Sequence, residues 1–118
     1  MPTIKAISIK EPWADKIAYG DKTIETRTWK TDYRGPILIC SSKLPSTRNS
    51  GKALAIAQLV EIRHMQEGDE ELSFCPVDPA RYSWILEDIR PLKRQLDISG
   101  KQRLFEVSLT EREMEVVE

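Results

Sequence analysis

The 118-residue chain is 40% hydrophobic and 31% charged, a balance that suits one globular domain rather than a disordered segment. It has no run of 18 apolar residues, and its opening, MPTIKAISIKEPW, lacks a basic and then apolar leader. A membrane span and an export signal are therefore not expected, and the protein is read as cytoplasmic with reduced thiols at Cys40 and Cys75.

IKAISI (4–9) reads as a first strand, rich in β-branched residues. EPWADKIAYG (11–20) reads as a short helix, with Pro12 at its first position, Glu11 at the positive end and Gly20 as a left-handed stop. Trp13, Ala14, Ile17 and Ala18 share a face at helical spacing, and that face is expected to pack on the first strand. KTIETRTW (22–29) alternates, which puts Thr23, Glu25, Arg27 and Trp29 on one side and Ile24, Thr26 and Thr28 on the other.

DYRG (32–35) is a turn, and PILICSS (36–42) is a buried strand with Pro36 where no ladder bond is lost. LPSTRNSGK (44–52) is a polar, basic loop. ALAIAQLVEIR (53–63) is a long strand with Leu54, Ile56, Val60 and Ile62 on one side. An acidic excursion over 64–81 leads to YSWILEDIR (82–90), a strand with Tyr82, Trp84 and Leu86 on one face. Residues 92–101 read as a connector with a short extended piece at Gln95–Ile98, and LFEVSL (104–109) as the closing strand. The acidic tail, 110–118, is expected to fray. The whole predicts a single domain over 1–118, of α+β class and mostly β, with its core over about 4–109. A small, mostly antiparallel barrel with one short helix after the first strand and a β-sandwich fit this pattern equally well.

Charge is uneven along the chain. Residues 1–64 carry 11 Lys+Arg against 6 Asp+Glu, while residues 65–118 carry 7 against 13. A basic half is a footprint for an anion such as nucleic acid, or simply a set of charges that mix on folding. Within it, Lys22, Glu25 and Arg27 fall in six positions. On a strand, Glu25 and Arg27 share a face about 7 Å apart, and Lys22 can swing in from the preceding turn. A carboxylate between two cations stays ionised and orients them, leaving donors for a phosphate, a carboxylate or a base edge. The plain alternative is a salt-bridged strand edge. Trp13, Trp29 and Tyr33 lie nearby in sequence, and aromatics beside basic residues suit base stacking.

Other chemistry finds little footing. The cysteines have no zinc spacing, and His64 is the sole histidine, so no metal or cofactor is expected. No glycine-rich phosphate loop or dinucleotide fingerprint occurs. The acidic 66–71 segment reads as a solvated face, with a protein partner as the alternative.

ISIKEPWADKIAYGDKTIETRTWKTDYRGPILICSSK resembles the opening of an ASCH domain, of the PUA-like superfamily. It has Pro12-Trp13, then a G-x-K-x-x-E-x-R signature at Gly20, Lys22, Glu25 and Arg27, then Tyr33-Arg34-Gly35 and an apolar strand. YSWILEDIRPLKRQLDISGKQRLFEV is similar to the family's Tyr-x-Trp strand, RPL turn and Gly-Lys connector, so the likeness spans 4–109. It implies a PUA-like β-barrel whose cleft is lined by Lys22, Glu25 and Arg27 and binds RNA or a nucleotide. Trp13, Tyr33, Arg34 and Lys43 are the further ligand-contact candidates, with Arg48 and Lys52 extending the basic patch.

Some family members are assigned ribonuclease activity, and a short bacterial subgroup hydrolyses the amide of N4-acetylcytidine with a Lys, a Thr and a Glu. If this chain is an enzyme, Lys22 and Glu25 are its catalytic candidates. Glu25, however, stands where that subgroup has its threonine, and the third acid would be sought among Glu67, Glu70 and Glu71. A carboxylate cannot replace a threonine as the same nucleophile.

Overall fold

The computed structural model describes residues 2–118. Six strands form one sheet in the order β2-β5-β4-β3-β1-β6. They are β1 (Thr3–Ile9), β2 (Ile24–Arg27), β3 (Gly35–Ser41), β4 (Lys52–His64), β5 (Tyr82–Asp97) and β6 (Phe105–Ser108). Helix α1 (Trp13–Ala18) follows β1, and α2 (Glu70–Ser73) follows a 3-10 turn over Glu67–Asp69. β1 runs parallel to β3, and the other pairings are antiparallel. The sheet coils into a loose barrel that is not closed, because β2 and β6 remain its two edges. No helix of the described residues is long and apolar enough to cross a membrane.

Both faces of the sheet's centre are covered, which is why PILIC reads as a continuous apolar run. Ile37 and Ile39 join Ile7, Ile9, Ile17 and Trp84 on one face, and Leu38 and Cys40 join Ile4, Ala6 and Phe105 on the other. Burial pushes the Cys40 thiol up to about 12, so it stays protonated.

Register shifts in the β4–β5 pairing lie at Ala53/Ala55, Ile56/Gln58 and Leu59/Glu61. Such bulges bend and twist a sheet. They also break the simple alternation expected for β4: Leu54 packs in the first core cluster, Ile56 packs against the second, and Val60 is exposed.

Two further expectations are corrected. β5 does not stop at Arg90 but runs through Pro91 to Asp97. Pro91 is tolerated because it sits where the ladder to β4 is irregular, and its carbonyl accepts the Val117 amide at 2.8 Å. That bond belongs to the tail, which does not fray. Thr110 and Glu113 form a reciprocal capping box, Leu92 bridges Val116, and Met114 and Val116 pack on the second core cluster.

The Tyr33-Arg34-Gly35 turn is held by its own side chains. Tyr33 donates its hydroxyl to the Pro36 carbonyl, and Arg34 Nη1 donates to the Thr31 and Tyr33 carbonyls at 2.8 Å each. Gly35 has φ +129, and a Cβ there would stand 3.1 Å from the Tyr33 hydroxyl. Gly35→Ala is therefore expected to lower stability by about 1–2 kcal/mol. A urea midpoint unchanged from wild type would show that the turn relaxes.

Candidate ligand-binding cleft

The sequence around α1 sets up one end of a cleft. Ala14 and Ile17 point into the core, as expected, but Trp13 turns outward and is 37% exposed. Gly20, at φ +87, ends the helix, and the Asp21 and Lys22 amides both donate to the Lys16 carbonyl. This tight reversal delivers the chain directly into β2. The edge strand is covered by α2, with the Thr23 amide bonded to the Leu72 carbonyl, so Ile24, Glu25 and Thr26 are all buried.

Between these elements and the end of β1 lies a cleft of about 410 Å3. Lys22, Glu25 and Arg27 form its charged floor. Glu25 Oε1 is 3.3 Å from Lys22 Nζ, and Glu25 Oε2 is 2.8 Å from Arg27 Nη2 and 3.0 Å from Arg27 Nε. Lys22 is only 3% exposed and also donates to the Ile24 and Ser73 carbonyls, at 2.6 and 2.5 Å. Two of the three ammonium hydrogens go to these carbonyls, and the Glu25 contact is an ion pair.

Lys22 thus fastens β2 to the end of α2. Burial lowers its pKa, and the adjacent Glu25 charge opposes that shift. Arg27 bonds the Ser8 carbonyl through Nη2 at 3.0 Å. Its Nη1 has no partner among the described residues, so Arg27 keeps donors to spare.

The cleft has an aromatic wall that the sequence only half disclosed. Trp13 faces Phe74, with ring centroids 5.9 Å apart and planes at 47°. Phe74 caps α2 in the left-handed region at φ 58, uncommon for a bulky residue, and is exposed. Lys16 Nζ lies 5.0 Å from its ring centroid. An aromatic alone in an acidic stretch was the available signal for Phe74. Cys75 and Arg81 also line the cleft, and Arg81 is held by the Thr26 hydroxyl and carbonyl at 3.1 Å each.

Other candidates fall elsewhere. Tyr33 and Arg34 do not line the cleft. Trp29 packs edge-on against buried Trp84 at 4.9 Å, with Arg103 over its ring. Lys43 lines a second, adjoining cleft. Lys52 pairs with Asp97 at 2.9 Å. Glu67, Glu70 and Glu71 do not line the first cleft, and His64 stacks on Tyr82.

A family model described as ASCH domain matches residues 7–110. No match was found among curated proteins. Among solved structures, the crystal structure of ASCH from Zymomonas mobilis is similar with a TM-score of 0.65 and 20% identity, over 92% of this chain and 89% of that one. Crystal structures of two point mutants of the same Zymomonas mobilis protein match with TM-scores of 0.66 and 0.65 and identities of 17% and 18%. They cover 92% of this chain and 91% and 89% of those chains. At these identities the likeness shows the fold.

Proposed function

This chain belongs to the ASCH domain family, and from that premise we propose that its cleft binds single-stranded RNA or a nucleotide. The observation that carries the reading is the pairing of an exposed Trp13–Phe74 wall with a floor that presents Arg27 to the same space. A base unstacked from its strand finds a π-face on the wall and a planar donor group on the floor. The volume of about 410 Å3 falls in the range of small-ligand pockets, and a duplex would not fit it. Lys10, Lys22, Arg27 and Arg81 outnumber Glu25 around the cleft, which favours an anionic ligand. In this reading Glu25 orients Arg27, Lys22 holds the floor to the wall, and Tyr33 and Arg34 set the turn into β3.

Trp13→Ala and Phe74→Ala are each expected to weaken binding of short single-stranded RNA by about 10- to 100-fold, the usual worth of one stacked base. Fluorescence anisotropy of a labelled oligoribonucleotide measures this. Equal affinity in wild type and both variants would remove the base from the cleft.

The hydrolase alternative has one supporting observation, the burial of Lys22, which lowers its pKa. Against it, two backbone carbonyls and the Glu25 carboxylate hold Lys22 in place, and among the described residues no second carboxylate joins Glu25 on the cleft. Incubation with N4-acetylcytidine and with single-stranded RNA, followed by chromatography, tests it. Turnover lost in Lys22→Ala and Glu25→Ala would replace the binding reading with an enzymatic one.

A further inference from the structure

A second cleft of about 360 Å3 adjoins the first and shares Ser8 and Ser42 with it. Its lining includes Lys43, Ser99, Gly100 and Lys101 and, among the described residues, no carboxylate. The hydroxyls of Ser8, Ser42 and Ser99 have no hydrogen-bond partner among the described residues, whereas Ser41 is committed to Glu11 at 2.9 Å. Lys43 and Lys101 make no ion pair among the described residues. The backbone amides of 99–102 donate to nothing within the described chain.

The loop carrying these groups is held in place. The Ile98 amide donates to the Gly51 carbonyl at 2.8 Å, which ties the loop to the end of the basic 44–52 segment. A Cβ at Gly100 would lie 2.5 Å from the Ser8 hydroxyl oxygen, so the loop passes flush over the end of β1. The result is a concave site with unspent hydroxyl and amide donors, two ammonium groups and no negative charge. That is the chemistry of a phosphate site.

We propose that this second cleft is a phosphate subsite, so that a ligand with its base on Trp13 and Phe74 places a neighbouring phosphate among Ser42, Ser99, Lys43 and Lys101. The inference rests on the base-binding reading of the first cleft and adds the ligand class: a phosphorylated nucleotide or an RNA strand, not a free nucleoside. The phosphate is a terminal monoester in the first case and an internal diester in the second.

The test titrates wild type, Lys43→Ala/Lys101→Ala and Trp13→Ala/Phe74→Ala with mixed-sequence hexaribonucleotides carrying a 3′-fluorescein, between about 50 and 200 mM salt. The lysines are exposed, and circular dichroism checks that each variant keeps its fold. The lysine variant is expected to bind about tenfold more weakly at low salt, with the slope of log affinity against log salt reduced by about 0.7, the share of one phosphate. The aromatic variant loses affinity but keeps the wild-type slope.

A lysine variant with wild-type affinity and slope overturns the phosphate subsite and leaves the base cleft standing. An abasic hexamer that still depends on the two lysines, with the aromatic variant indifferent to every probe, keeps the subsite and removes the base cleft. No binding by wild type overturns both. Hexamers with and without a 5′-phosphate separate the two phosphate sources: a gain from the added group that vanishes in the lysine variant assigns the monoester, and no gain assigns the diester.

Discussion

Glu25→Ala lowers the stability of the domain by about 3–5 kcal/mol in urea unfolding, the usual cost of stranding one partner of a buried ion pair. The substitution leaves the Lys22 ammonium under β2 with two carbonyls and no countercharge, and it releases Arg27 from two of its contacts. Adding Lys22→Met to Glu25→Ala removes the stranded charge and recovers part of the loss, so the double-mutant cycle shows strong coupling.

The pH dependence has a definite sign. Burial already lowers the Lys22 pKa, and losing Glu25 lowers it further. A cation whose folded pKa lies below its unfolded value costs stability most at pH below the folded pKa, and the cost is relieved as pH rises towards the unfolded value of about 10.4. The gap between wild type and Glu25→Ala therefore narrows from neutral to alkaline pH. Additive losses with a gap constant across pH would mean that the trio behaves as an exposed edge.

Asp69→Ala costs about 2–4 kcal/mol and loosens the aromatic wall of the cleft. Asp69 is 4% exposed and accepts from Arg63 Nη1 and Nη2 at 2.7 and 2.9 Å, from the Gln66 amide at 2.9 Å and from the Ser83 hydroxyl at 2.8 Å. These bonds moor the segment leading into α2, whose cap is Phe74. Their donors, Arg63 above all, hold the Asp69 carboxyl well below the usual carboxylate range. In wild type this contribution is complete above the unfolded value of about 3.9 and is lost as pH falls below it. Urea midpoints across acid pH, with hydrogen exchange over 70–81, check both effects. A variant of wild-type stability with unchanged exchange would show that α2 is moored from elsewhere.

Much of the fold was legible because β1, β3 and β6 are short apolar runs bounded by turn residues, and α1 has its stop at Gly20. The errors arose where a local rule was outvoted by packing. Pro91 signals a break, yet β5 passes through it beside a bulge. The tail looks too acidic to order, yet Met114 and Val116 bury against the sheet.

The site divides in the same way. The floor was legible because its three charges lie close in sequence. The wall was not, because Phe74, Cys75 and Arg81 reach the cleft from a segment some fifty residues away, and only the covering of β2 brings them there. The bonds that hold Lys22 were not legible, since their acceptors are backbone carbonyls that no sequence pattern displays.

The placement of the two thiols has an experimental use. Cys40 is sealed in the sheet and held protonated, while Cys75 is half-buried on the cleft wall next to Phe74. An alkylating dye should therefore label the native protein at a single position, and a molecule occupying the cleft should slow that labelling. The chain carries its own occupancy reporter, and a library of unmodified nucleotides and oligonucleotides can be screened against it by mass spectrometry without any engineered tag.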